Sequence, residues 1–404
     1  MNKASKQTNS QISTDTPTGF LFLAILGALM AFTSLSTDIY LPAMPQMSQE
    51  LGGDAALTIT GFLIGFAIAQ LIWGPISDRI GRKIPLFLGM LFFTIGSTGC
   101  ALSHNIEQII FWRVFQAIGS CVGPMLARAM IRDLFARTQA AQMLSTLMII
   151  MAMAPIAGPL LGGQIIRFSS WHSIFWLLVI IGILMFFALL LLPETLPKQR
   201  RSQTSLLIAF KNYYRLLGDL KFMSYTLCIT FYYIAAYAFI TGSPSVYISY
   251  FGIDSQHYGW LFAVNIVGVI GMSFVNKRLV KRFTLDRILH IAIIIAAIAT
   301  TVLAIATKLE IGGVAIIIIT IFGFFAMNGI LSATTTAAAL DEVPEIAGSA
   351  SALIGSLQYG SGIISSLLLT FFNDGTPWTM GWIMCLFTLA SCGAAFMKIR
   401  KPRY

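Results

Sequence analysis

An acid and a base stand inside long apolar stretches of this sequence. Asp38 lies in STDIYLPAMP (36–45) and Arg113 in FWRVFQAIGS (111–120). A charge in the hydrocarbon of a bilayer costs about 2.5–3.5 kcal/mol on insertion scales, so such residues mark functional sites by default. Burial pushes a carboxyl toward its neutral form, and a nearby cation holds it ionised. A carboxyl balanced between the two takes up a proton in one setting and releases it in another. Asp38 is therefore the candidate proton-coupling group, and Arg113 the group that tunes it. The plainer alternative is a fixed ion pair that joins two helices.

The elements that must position this pair are membrane spans. Of 404 residues, 57% are hydrophobic and 10% are charged, with a mean hydropathy of +0.80. Soluble domains carry about 25% charged residues. The 26 basic and 16 acidic side chains cannot cover the surface of a soluble protein of this length. A span needs about 20 apolar residues. Twelve runs qualify, near 19–42, 56–76, 84–103, 106–131, 139–165, 171–192, 222–250, 256–276, 284–306, 311–336, 347–372 and 377–397. The fold class is thus an all-α integral membrane protein with twelve transmembrane helices. Soluble enzymes and nucleic-acid binders are excluded as first readings, despite the net charge of +10.

Lysine and arginine set the orientation, since they concentrate in cytoplasmic loops. With both termini inside, cytoplasmic segments hold 23 of the 26 basic residues, outer loops hold Arg167 and Lys308, and Arg113 remains in the membrane. The first span then runs outward and the fourth inward. At 1.5 Å per residue, Asp38 and Arg113 both lie on the order of 6–11 Å below the outer surface, where they can face one cavity. Residues 193–221 form the longest polar break and contain an amphipathic stretch, 206–217, with Lys211 and Arg215. It reads as an interfacial helix. The chain divides into a disordered cytoplasmic tail (1–18), a six-helix half (19–192), the cytoplasmic linker (193–221), a second six-helix half (222–398) and a short cytoplasmic tail (399–404). The first apolar run is read as a retained helix, not a cleaved signal. SDRIGRKIPL (77–86) aligns with NKRLVKRFTL (276–285) at corresponding loops of the two halves. Two such halves are a known transporter architecture, with the substrate site between them near the midplane.

Further patterns carry mechanics. In GPISDRIGRK (74–83), Gly74 and Gly81 permit close approach and a tight turn. Asp78 can accept N–H groups near the start of the eleventh span, and Arg82 can pair with Asp133 at the end of the fourth. With Arg79 and Lys83 these residues form a candidate cytoplasmic latch. APIAGPLLGG (154–163) places Pro155, Gly158, Pro159, Gly162 and Gly163 in the fifth span, a kinked and closely packing helix suited to the boundary between halves. Candidate substrate-cavity residues are Met30, Phe32, Gln116, Met153, Tyr232, Tyr233, Tyr237, Asn265, Asn328 and Gln358. Methionines and aromatics give adaptable apolar contact, and amides add a few hydrogen bonds. Tyr247, Tyr250 and Trp378 read as interface anchors. The five cysteines lie in apolar runs without metal-ligand spacing, so no metal site is expected. The four histidines, at 104, 172, 257 and 290, are scattered near span ends and make no catalytic cluster. No GxxxxGK[ST] loop occurs, so ATP is not the expected energy source.

The chain resembles the major facilitator superfamily, and within it the drug:proton antiporters of the bicyclomycin and chloramphenicol resistance (Bcr/CflA) type. GPISDRIGRK matches the superfamily's loop between spans two and three. STDIYLPAMP, RVFQAIGS and APIAGPLLGG match the first-, fourth- and fifth-span motifs, and PETLP (193–197) and LDEVPEIAGSASAL (340–353) match two further segments. The resemblance implies export of small amphipathic drugs in exchange for protons by alternating access, across the bacterial inner membrane. It also implies coupling roles for Asp38 and Arg113. Two departures stand out. Span one has no second acid near Met30, which argues against a two-acid mechanism. The second half has Lys277 where Asp78 stands and Val280 for Gly81, so only the first half carries the full latch.

The expected partners are a small-molecule substrate, protons and the lipid bilayer, with no nucleic acid, no cofactor and a monomeric state. The main alternative is a transporter of the same fold for a metabolite such as a nucleoside, amino acid or sugar, because fold does not decide substrate. A membrane enzyme is the remote alternative.

Overall fold

The computed structural model describes residues 20–135, 137–201 and 206–397. The expected tails at 1–18 and 399–404 lie outside these residues. Among the described residues, twelve helices are long and apolar enough to cross a membrane. Spans 1 to 6 are Phe20–Leu51, Ala56–Ile80, Lys83–Ala101, Ile106–Leu134, Gln142–Phe168 and Trp171–Leu191. Spans 7 to 12 are Leu220–Tyr250, Ser255–Leu279, Leu285–Lys308, Gly313–Glu342, Pro344–Phe371 and Pro377–Ala395. Helices are the form these sequences must take in lipid, because every backbone N–H and C=O has to be satisfied within the segment.

Burial follows the solvent. Ile64, Ile68 and Ile72 recur every fourth residue along span 2 and are all exposed, as are Ile180, Leu184 and Phe187 on span 6. These stripes face where lipid would be. The opposite faces pack within each group of six. Span 4 lies against spans 2, 3 and 1, while span 10 lies against spans 9, 8 and 7. Two seams join the halves. Span 2 runs along span 11, and span 5 along span 8. The first seam is stitched by hydroxyls, with Thr60 and Ser366 2.6 Å apart and Ser356 donating to the Ala67 carbonyl at 2.8 Å. At one end, Thr370 donates to Asp54 at 2.6 Å. The other end carries most of the Lys and Arg and is called the basic end below.

The expected amphipathic stretch is a helix, Leu206–Leu217. It does more than lie at the surface. Tyr213 Oη donates to the Leu71 carbonyl of span 2 at 3.0 Å, and Asn212 Nδ2 donates to Ser349 Oγ of span 11 at 3.5 Å. The linker helix therefore touches both halves at the basic end. One anchor expectation is corrected. Tyr247 is buried against Phe239 and Tyr258, whereas Tyr250 is exposed.

Candidate functional site

Three charged side chains are buried among the described residues, namely Asp38, Arg82 and Arg113. Each is explained by its helix ends and partners.

The helix of span 1 stops at Asp38, and the chain turns through Leu41–Ala43 before resuming as Met44–Leu51. Pro42 and Pro45 impose this break, since neither can donate a helix hydrogen bond. The last carbonyls of a helix have no partner of their own and carry the negative end of its dipole. Arg113 answers that need. Its Nη1 donates to the Ser36 carbonyl at 2.9 Å and to Gln116 Oε1 at 2.5 Å. Gln116 in turn donates to Ser97 Oγ at 2.7 Å. The guanidinium lies between the rings of Tyr40 and Phe62, 4.4 Å from each centroid. Nε and Nη2 have no acceptor among the described residues.

Asp38 and Arg113 are thus neighbours but not an ion pair. The carboxyl of Asp38 accepts from Thr37 Oγ1 at 2.9 Å, and no salt bridge among the described residues includes it. The expectation of two charges facing one cavity is corrected. Arg113 is enclosed by protein and braces the broken helix on which Asp38 sits.

Span 5 crosses directly over this break. A Cβ on Gly158 would sit 3.2 Å from Asp38 Cβ, and one on Gly162 would collide with the Ile39 carbonyl oxygen. Gly163 continues the approach across the seam, where a Cβ would lie 2.6 Å from the Ser255 carbonyl oxygen of span 8. Pro155 and Pro159 lie within the same helix. The small residues of the fifth-span motif place one helix against both Asp38 and the other half.

At the basic end, Arg82 gathers the latch. Its Nε donates to Asp133 Oδ2 at 2.8 Å, and its Nη1 to Asp78 Oδ1 at 2.6 Å and Ser77 Oγ at 2.8 Å. Asp133 also accepts from Thr195 at 3.1 Å. Glu194, outside the expected set, completes the cluster. It accepts the backbone N–H groups of Arg82, Lys83 and Leu196 at 2.9, 3.1 and 2.9 Å. Partial burial raises its carboxyl, but those N–H groups and Arg201 outweigh burial and hold it below its ordinary 4.5. Gly81 allows this approach. Its φ of +101° suits glycine, and a Cβ there would meet Glu194 Oε2 at 2.6 Å. Gly74 is corrected, since a Cβ there would meet only Met125 Sδ, at 4.0 Å. Arg79 is exposed. Asp78 lines the same cavity as Gly348 and Ser349 at the start of span 11, without a hydrogen bond between them among the described residues. No ion pair among the described residues involves 276–285, the corresponding loop of the second half.

A cavity of about 550 Å³ opens beside this latch, lined by Gln70, Met125, Arg128, Arg132, Tyr213 and Ser349 among others. A second, of about 400 Å³, opens at the opposite end, lined by Asp54, Thr241 and Asn373 among others. None of the ten expected cavity residues lines either one. Met30, Phe32, Gln116, Tyr232 and Asn265 are buried. Phe32 packs on Phe93, and Tyr232 stacks on Phe324 while its hydroxyl donates to the Phe324 carbonyl at 2.8 Å. Met153 is 60% exposed. Tyr233 and Tyr237 belong to an aromatic row that reaches Tyr359 and then Phe66 across the seam, and Asn328 and Gln358 are half-buried. Arg128 is one of the 23 basic residues assigned to the cytoplasmic side, yet it lies within span 4 and stands on the cavity wall. The i, i+4 spacing of Arg128 and Arg132 was the available signal.

The family model described as Major Facilitator Superfamily matches residues 24–366. The chain belongs to that superfamily. It is 37% identical to an uncharacterized MFS-type transporter, YdgK, of Bacillus subtilis, over 96% of this chain and 98% of that protein. It is 30% identical to a bicyclomycin resistance protein homolog of Haemophilus influenzae, over 92% and 93%. A chloramphenicol resistance protein of Pseudomonas aeruginosa matches at 27%, over 91% and 87%. These relatives place the chain in the bicyclomycin and chloramphenicol resistance branch. The xylose transporter XylE of Escherichia coli, in a partially occluded inward-open conformation, superposes with a TM-score of 0.69 at 14% identity, over 94% and 97% of the two chains. That likeness concerns the fold. The protein is a membrane transporter of small molecules, not an enzyme.

Proposed function

We propose that this transporter exports small amphipathic drugs, of the kind its relatives are named for, in exchange for protons by alternating access. The basic end, with both termini, faces the cytoplasm of a bacterial inner membrane. The observation that carries the reading is Asp38, a buried carboxyl without a cation in ion-pair contact, lying against Gly158 of the span that also packs on the other half. A carboxyl so placed changes its surroundings whenever the halves move, and its proton affinity moves with them. Arg113 keeps the helix break in shape while this happens. The latch around Arg82 and Glu194 holds the basic end of the first half. Substrate enters from the cavity beside it.

The test is drug-induced proton movement in proteoliposomes under an imposed pH gradient. Bicyclomycin or chloramphenicol should release protons through the wild type and not through Asp38→Asn. Equal coupling in the variant assigns the proton site elsewhere. Proton movement with nucleosides, amino acids or sugars, and with no drug, makes the protein a metabolite transporter.

A further inference from the structure

We propose that Arg128 forms an oxyanion subsite in the cavity at the basic end, so that amphipathic carboxylates are preferred over cations of the same shape. The inference deepens the transport reading above and takes from it only that this cavity receives substrate.

Five charged residues line the cavity, and four are accounted for. Arg82 is buried and held by Asp78 and Asp133. Asp78, Arg132 and Glu345 are exposed. Arg128 is different. It is half-buried and sits a full turn deeper along span 4 than Arg132. Its Nε donates to the Pro124 carbonyl at 2.9 Å, and Nη1 and Nη2 have no acceptor among the described residues. No salt bridge among the described residues includes it.

The surroundings make that vacancy chemically specific. Met125, Leu126 and Leu144 supply apolar wall, and Gln70 supplies an amide. Water is a poorer competitor in such a recess than at the surface, so a charged hydrogen bond gains strength there. A guanidinium presents paired N–H groups whose geometry matches a carboxylate. A ring system with an attached carboxylate would fill the apolar wall and neutralise Arg128 together. A quaternary ammonium of the same shape would meet uncompensated positive charge.

The experiment uses the full-length transporter in nanodiscs of zwitterionic lipid. Three probes share one ring system: 2-naphthylacetate, its methyl ester and (2-naphthylmethyl)trimethylammonium. Binding is read by equilibrium dialysis. A hydrogen bond to a charged group contributes about 1.5–3 kcal/mol, so the carboxylate should bind at least about tenfold more tightly than the ester, and the cation least. Arg128→Gln should erase the preference, Arg128→Lys should keep part of it, and Arg132→Gln should leave most of it. Equal affinity of wild type for carboxylate and ester overturns the proposal without any variant. So does a preference that survives Arg128→Gln. The two readings fail separately. Carboxylate selectivity without drug-coupled proton movement sinks the drug-export reading alone, and drug export without the selectivity sinks the subsite alone.

Discussion

Arg113 of span 4 donates to the main-chain carbonyl of Ser36, two residues before Asp38, at 2.9 Å. The base is thus tied by a hydrogen bond to the helix end that carries the acid. Arg113→Lys keeps the charge but loses the planar stack between Tyr40 and Phe62 and the paired donors. About 2 kcal/mol of stability should be lost, taking one cation–π contact and one charged hydrogen bond together. The thermal midpoint of the purified protein should fall by several degrees, and coupled transport should fall with it. An unchanged midpoint would remove Arg113 as the brace of the helix break.

The two acids on Arg82 should be unequal. The Asp133 side chain is 17% exposed and that of Asp78 is 54% exposed. Exposed pairs are worth about 0–1 kcal/mol, while removing one partner of a buried pair costs about 3–5 kcal/mol. Double-mutant cycles with Arg82→Gln should therefore give a larger coupling to Asp133→Asn than to Asp78→Asn, although the second bond is the shorter. Equal couplings would mean that exposure does not govern this cluster.

Glu194 gives the latch a pH response. Its folded value lies below its ordinary 4.5, so its stabilisation is complete above 4.5 and fades as pH falls through the lower folded value. Glu194→Gln should lower the thermal midpoint at pH 7 by a few degrees, for a loss of about 1–2 kcal/mol in charged hydrogen bonds. The gap between wild type and variant should narrow as the pH is taken below 4.5. A gap independent of pH would show that the carboxylate charge plays no part.

Two glycines should respond oppositely to alanine. At Gly162 the added methyl collides with the Ile39 carbonyl, so span 5 must back away from the break at Asp38. The cost should be at least about 1–3 kcal/mol, the range for overpacking. At Gly74 the same methyl meets only Met125, and alanine is the better helix former by about 1 kcal/mol. Gly74→Ala should match or exceed the wild-type midpoint, and Gly162→Ala should lower it. Measured midpoints in the reverse order would contradict the packing described.

The spans were legible because length and apolarity alone define them, and Asp38 and Arg113 stood out by charge. Their relation did not, because only the fold tells which face of each helix meets the other. Arg82 and Asp133 were paired correctly from their loop positions. Glu194 was missed, since its partners at 82 and 83 lie more than a hundred residues away. The cavity residues were chosen by chemical type, and type does not distinguish Tyr232, stacked inside one half, from Tyr237, on the row that reaches the seam. Arg128 fell inside the run read as the fourth span, yet the orientation count grouped it with the cytoplasmic charges, and only the fold shows that it lines a cavity.

Asn212 and Tyr213 are consecutive, yet one holds span 11 and the other span 2. Any rocking that parts these spans at the basic end must release one of them. The Asn212 bond, at 3.5 Å, is the longer and weaker grip, and the Tyr213 bond, at 3.0 Å, the firmer. The linker helix also packs on span 7, and on more of span 11 than of span 2, so opening the seam at this end means either breaking the Tyr213 bond or peeling the helix off spans 7 and 11.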